Sequence, residues 1–162
     1  MGKITKIKSS YVFDRPVSEN EILYLAKEIT AARLIRAGPQ LSSSQLAGDF
    51  LTHLIGSNDR EVFLVVFLDA QHKIIAHEEL FQGTINFSPV YPREIVKRVL
   101  FHNAAAVILA HNHPSGNPHP SDNDKLVTNR IKEVLALIET RVLDHLILAG
   151  SKWFSFADHV LL

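Results

Sequence analysis

Apolar positions along the chain fall into two kinds of pattern. Residues 62–68 read Val-Phe-Leu-Val-Val-Phe-Leu, an unbroken β-prone run between Glu61 and Asp69, and residues 104–110 read Ala-Ala-Ala-Val-Ile-Leu-Ala before a cluster of turn residues. Short continuous runs of this kind predict strands covered on both faces. Ala70-Gln71-His72 predicts a turn that returns the chain through Lys73-Ile74-Ile75-Ala76-His77 as a hairpin. Gly83 predicts a bulge or bend before Thr84-Ile85-Asn86-Phe87, and residues 142–148 and 152–157 read as two closing strands. Elsewhere the spacing is helical. Ser18-Glu19-Asn20-Glu21 has the form of a capping box, followed by Ile22, Leu25, Ala26, Ile29 and Ala32 on one face, with Gly38-Pro39 as the stop. Ser42-Ser43-Ser44-Gln45 caps a second helix whose Leu46, Phe50, Leu54 and Ile55 share a face before Gly56. Pro92 opens a third helix running to His102, and Ser121 opens a fourth running to Glu139, with Leu126, Val127, Ile131, Val134 and Leu135 inward. Residues 1–17 predict only a tail or a short edge strand.

The chain has 162 residues, a length suited to one core that buries roughly 70% of the unfolded surface. The pattern divides the chain into an N-terminal tail and amphipathic helix, residues 1–41, and a main domain, residues 42–162, which holds all the candidate chemistry described below. Lys plus Arg and Asp plus Glu both number 17, so nothing global marks a polyanionic partner such as nucleic acid or an anionic membrane. Cysteine is absent, which removes disulfides, thiolate ligands and cysteine nucleophiles and leaves His, Asp, Glu and Ser for chemistry. Met1-Gly2-Lys3-Ile4-Thr5-Lys6 has no apolar leader, and no stretch approaches the ~20 apolar residues of a membrane span, so the expectation is a soluble cytoplasmic protein.

Chemistry concentrates where the strand of residues 104–110 empties into His111-Asn112-His113-Pro114-Ser115-Gly116-Asn117-Pro118-His119-Pro120-Ser121-Asp122-Asn123-Asp124. In an extended backbone, side chains two apart share a face, so His111 and His113 converge while Asn112 points away. Ser121-x-x-Asp124 places Asp124 in the first turn of the next helix as a third ligand. A helix cap alone would also account for Ser121 and Asp124, but neither capping nor core formation requires His-x-His-Pro, three loop prolines and Ser-x-x-Asp together. Three protein ligands leave a zinc ion one open coordination position, which distinguishes a catalytic site from a structural one.

These residues resemble the signature of the JAB/MPN zinc metallohydrolases: an upstream Glu, His-x-His-Pro, then Ser-x-x-Asp. With Tyr91-Pro92-Arg93-Glu94-Ile95 before and Asp144-His145-Leu146-Ile147 and Phe154-Ser155-Phe156 after, residues 43–162 are similar to the RadC-like branch of that family. The resemblance implies an α/β (α+β type) fold, a mixed, curved sheet flanked by helices. It also implies one Zn2+ held by His111, His113 and Asp124, with Ser121 as the motif serine and a glutamate as general base. Full-length RadC-like proteins carry a glycine-containing helix-hairpin-helix region upstream; residues 3–37 contain no glycine, so the expectation is a short member without it.

Glu61, abutting the buried strand, is the candidate base, with Glu78 the rival and a merely solvated strand end the plain alternative for Glu61. Ser121 is the candidate donor to an oxyanion, in competition with its role as a cap. The implied reaction is zinc-assisted hydrolysis of a peptide or isopeptide bond in a peptide or protein substrate. Two rivals are a nucleic-acid-associated DNA-repair factor and an inactive interaction scaffold. His53, His72, His77, His102, His119 and His159 are scattered and expected at the surface. Asp144 and His145 alternate across a strand, so at most one approaches the metal, in a buried, hydrogen-bonded role rather than as a ligand.

Overall fold

The computed structural model of the protein describes residues 4–7, 10–37, 40–83 and 90–162. Strands β1 (Ile4–Ile7) and β2 (Ser10–Phe13) form an antiparallel hairpin separate from the main sheet. Helices α1 (Glu19–Ala37) and α2 (Ser44–Ile55) follow, then strands β3 (Val62–Leu68) and β4 (Ile74–Gln82). Helix α3 (Pro92–His102), strand β5 (Ala106–Asn112), helix α4 (Asp122–Ala136) and strands β6 (Arg141–Ala149) and β7 (Lys152–Ser155) complete the order. The five-stranded sheet runs β4-β3-β5-β6-β7; β5 and β6 are parallel and every other pair is antiparallel. It is the mixed sheet flanked by helices that the resemblance implied.

All seven residues of β3 and all seven of β5 are buried, because each strand is covered on both faces. One face carries Leu64, Val66, Leu68 and Ile108 against Phe50, Leu51, Leu54 and Ile55 of α2. The other carries Val65, Phe67, Val107 and Leu109 against Ile95 and Val99 of α3 and Ile131 and Leu135 of α4. The β3–β4 turn is held by Asp69, whose Oδ1 accepts from Gln71 N and Lys73 N, both at 2.8 Å. The capping box before α1 forms as expected: Ser18 N donates to Glu21 Oε2 and Glu21 N to Ser18 Oγ.

Four expected core positions are exposed. Leu46, Leu126 and Ile22 are 50%, 69% and 51% exposed. At about 100° per residue, Leu46 lies about 110° from the centre of the stripe Ala47, Phe50, Leu51, Leu54 and Ile55, and Leu126 lies on the far side of α4 from Thr128, Ile131 and Leu135. In α1, Ala26 is exposed as well as Ile22, while Leu25 and Ile29 of the same face are half-buried, so that face is covered only in part among the described residues. Helix α4 ends at Ala136 rather than Glu139; Glu139 has φ 56°, a left-handed conformation that cannot continue the helix. His102 is a further correction, since its side chain is only 14% exposed and bonded to Glu78. The expectation for residues 84–87 lies outside the described residues. Among those described, no helix is long and apolar enough to cross a membrane.

Candidate metal centre

A parallel pair requires a crossover, and α4 is the crossover between β5 and β6. Its first turn therefore returns over the carboxyl ends of those strands, the edge where open α/β sheets bind ligands. His111 is the penultimate residue of β5, and His113 N donates to Leu148 O at 2.7 Å, which extends the β5–β6 pairing past the strand end. Asn112 points to the other side. Its Oδ1 accepts from Val62 N at 2.8 Å and its Nδ2 donates to Asn58 O and Arg60 O, tying the metal strand to the segment before β3.

His111, His113 and Asp124 offer one ligand atom each within 4.8 Å of one another. His111 Nε2 lies 2.9 Å from His113 Nε2 and 3.3 Å from Asp124 Oδ1. A tetrahedral zinc with bonds near 2.0 Å separates its ligand atoms by about 3.3 Å, so the spacing fits. The remaining polar atoms are occupied. His113 Nδ1 donates to Asn117 O at 2.8 Å, inside a loop turned by Gly116 at φ 80°. Asp124 Oδ2 accepts from Ser121 N at 2.7 Å and Ser121 Oγ at 2.6 Å, while Asp124 N donates back to Ser121 Oγ, completing the capping box. Burial pushes the Asp124 carboxyl up, but the adjacent His111 imidazole and the two bonds from Ser121 outweigh it and hold the group well below the usual carboxylate range.

His145 completes the arrangement from β6. Its Nε2 lies 2.8 Å from His111 Nδ1 and its Nδ1 lies 2.6 Å from Thr128 Oγ1. Fully buried, it stacks on Phe156 at 4.9 Å and meets Phe63 edge-on at 5.5 Å, and Phe63 in turn stacks on His111 at 6.1 Å. That burial pushes the His145 pKa well below its ordinary value. Asp144 faces the other way, accepting from Ser155 Oγ, Ala157 N and His145 N; burial pushes its carboxyl up in spite of those bonds.

Glu61 is half-buried immediately before β3, where its carbonyl accepts from Gly83 N at 2.8 Å and so continues the ladder. Lying two residues before Phe63 on an extended course, it belongs to the face of the sheet that carries His111. Its carboxylate has no hydrogen bond or ion pair among the described residues. Glu78 is committed elsewhere. It pairs with Val65, one ladder step below Phe63, and strand geometry puts it about 12 Å from His111. Its carboxylate accepts from Arg98 Nε at 2.6 Å, from Arg98 Nη2 and from His102; Arg98 first, opposed by burial, holds it below the usual range. The reading of the sequence missed Thr128 and Phe63 as parts of the site, since a helical threonine and a strand phenylalanine carry no local mark of it.

Comparison with known proteins agrees with this geometry. The RadC-like JAB domain family matches residues 41–161. A UPF0758 protein of Vibrio cholerae is 47% identical over 150 residues, covering 93% of this chain and 94% of that protein. UPF0758 protein YfjY of Escherichia coli strain K12 is 44% identical over 147 residues, covering 91% and 92%. A UPF0758 protein of Thiobacillus denitrificans is 54% identical over 129 residues, covering 80% of this chain but 58% of that protein. The chain thus spans about three fifths of the length of several curated relatives it matches.

Proposed function

The chain belongs to the RadC-like JAB domain family, and from that premise we propose that it is a zinc-dependent hydrolase of peptide or isopeptide bonds, with His111, His113 and Asp124 as the metal ligands. One observation carries the reading. His111 Nε2 lies 2.9 Å from His113 Nε2 and 3.3 Å from Asp124 Oδ1, and His113 Nε2 lies 3.7 Å from Asp124 Oδ2, while the second nitrogen of each imidazole is held by Asn117 or His145 and Asp124 Oδ2 by Ser121. Acceptors packed this closely repel unless a cation lies among them, and two imidazoles with a carboxylate are a donor set suited to zinc.

When bound, the ion supplies Lewis acidity, polarising a scissile carbonyl and making water acidic enough to lose a proton near neutral pH. The protein's own groups do the rest. Glu61, free of partners among the described residues and on the face of His111, takes the proton from the attacking water and returns it to the leaving nitrogen. Ser121 holds Asp124 Oδ2 through its N–H and hydroxyl, which aims Oδ1 at the ligand cluster. Turned away from Oδ2, the same hydroxyl would donate to the oxyanion of the tetrahedral intermediate. Phe63, Phe156 and the buried strand ends keep water from the inner side of the site.

The test pairs metal content with turnover. Purified protein should contain close to one zinc per chain and cleave peptide or isopeptide substrates, and Glu61→Gln should keep both metal and fold while hydrolysis falls at least about 100-fold. Glu78→Gln should cost far less turnover. Protein that takes up no zinc at neutral pH sinks the reading. Zinc-loaded protein that cleaves nothing turns it toward an interaction scaffold, and tight nucleic-acid binding at physiological salt turns it toward a repair factor.

A further inference from the structure

The hydrogen bonds around His145 have a direction. Thr128 Oγ1 lies 2.6 Å from Asp124 O and 2.6 Å from His145 Nδ1. A backbone carbonyl only accepts, so the single hydroxyl hydrogen goes to Asp124 O, and His145 Nδ1 must donate to the hydroxyl oxygen. His145 Nε2 is then the acceptor of a neutral imidazole, and it takes the hydrogen of His111 Nδ1 across 2.8 Å. With its hydrogen on Nδ1, His111 has a lone pair on Nε2, the atom that faces His113 and Asp124.

We propose that Thr128 and His145 are positioning residues that fix the tautomer of His111, so that its Nε2 is presented to the metal as a lone pair rather than as an N–H. The inference rests on the metal-site reading above and adds two residues that touch neither the ion nor the substrate. The relay begins and ends on ligand residues: the carbonyl that orders Thr128 belongs to Asp124, and the ring it finally orients is His111. Phe63 lies parallel to the His111 ring at 6.1 Å and Phe156 stacks on His145 at 4.9 Å, which favours the observed ring planes. Reversing the relay would place a hydrogen on His111 Nε2, pointed at the carboxylate of Asp124, where it would satisfy the site internally and exclude the cation. Histidine ligands are commonly oriented by such an outer partner, whose loss typically costs 10- to 100-fold in metal affinity.

Thr128→Val is the decisive change, because valine nearly matches the volume of threonine and removes only the hydroxyl. Long-range 15N–1H correlation of the histidine rings in metal-free protein should place the His111 proton on Nδ1 in the parent. Thr128→Val should move it wholly or partly to Nε2, and Thr128→Ser should return it to Nδ1. Competition with a chelator should show zinc affinity falling about 10- to 100-fold in Thr128→Val and returning in Thr128→Ser. His145→Gln, whose amide oxygen can still accept from His111, should retain more affinity than His145→Leu. A parent with the His111 proton on Nε2, or a folded Thr128→Val with unchanged tautomer and affinity, overturns the proposal. The tautomer is read without metal, so a parent that bound no zinc would refute the hydrolase reading by a separate measurement.

Discussion

Asp124 has two oxygens with different duties. Oδ2 accepts both bonds from Ser121 and closes the helix cap, while Oδ1 faces His111 at 3.3 Å. Asp124→Asn separates these duties. The amide oxygen can still accept from Ser121 N, so the stability of metal-free protein should fall by no more than the ~1 kcal/mol typical of a cap, read from denaturant midpoints. The amide N–H2 would then point at His111 Nε2, an acceptor, and fill with a hydrogen bond the place a cation needs. Zinc affinity, read by chelator competition, should fall by at least 10- to 100-fold. If Asp124→Asn held zinc as tightly as the parent, the residue would be a cap alone.

At the scale of elements, the metal edge depends on how α2 and α4 grip the two faces of one sheet. Helix α2 approaches β7 closely at Gly48, where an added Cβ would lie 2.5 Å from Trp153 Cε2. Alanine is the better helix former by about 1 kcal/mol, yet Gly48→Ala should be net destabilising by about 1–3 kcal/mol, because the half-buried Trp153 ring cannot move without repacking. Urea midpoints of Gly48→Ala, Trp153→Leu and the double variant would check this. The pair should be strongly non-additive, with the alanine harmless or favourable once the ring is gone, and simple additivity would contradict the account. Helix α4 shows the same dependence on its partner. Its buried stripe turns on Thr128, Ile131 and Leu135 while Leu126 lies in solvent, so a polar residue holds the position nearest the ligands.

Across the whole molecule, pH dependence should betray the buried histidine. His145 is held below its ordinary value of 6.5 when folded, so as pH falls below about 6.5 the unfolded chain binds a proton that the folded chain refuses. Its contribution to stability is therefore present above about pH 6.5 and lost as pH falls, at up to ~1.4 kcal/mol per pH unit from this one group. Asp124, held below its ordinary range, acts in the same direction but only at far lower pH. Unfolding of chelator-treated protein by urea between about pH 7 and pH 5 should show this slope, and His145→Gln should flatten it. An equal slope in both proteins would mean that other groups carry the acid sensitivity.

What the chain's own order determined is what short-range geometry governs. His111 and His113 share a face because the strand period is two, Asp124 meets Ser121 because a helix turn is nearly four, and the strands of residues 62–68 and 104–110 read as buried because they are apolar throughout. Periodicity fixes positions relative to one another within an element, but not which side of that element finds a partner. So Leu126 was read as core and is exposed, whereas Thr128 is buried, because α4 is rotated to bring Asp124 over the carboxyl end of β5. Thr128, His145 and Phe63 reach His111 only through the β3–β5–β6 pairing and the crossover of α4, over separations that local sequence does not encode. Pairing likewise separated Glu61 from Glu78: both precede or occupy strands beside the metal strand, but Arg98 on α3 engages one and leaves the other clear. Buried polar side chains are stable only where distant elements supply their hydrogen-bond partners, and only the tertiary structure decides where those elements meet.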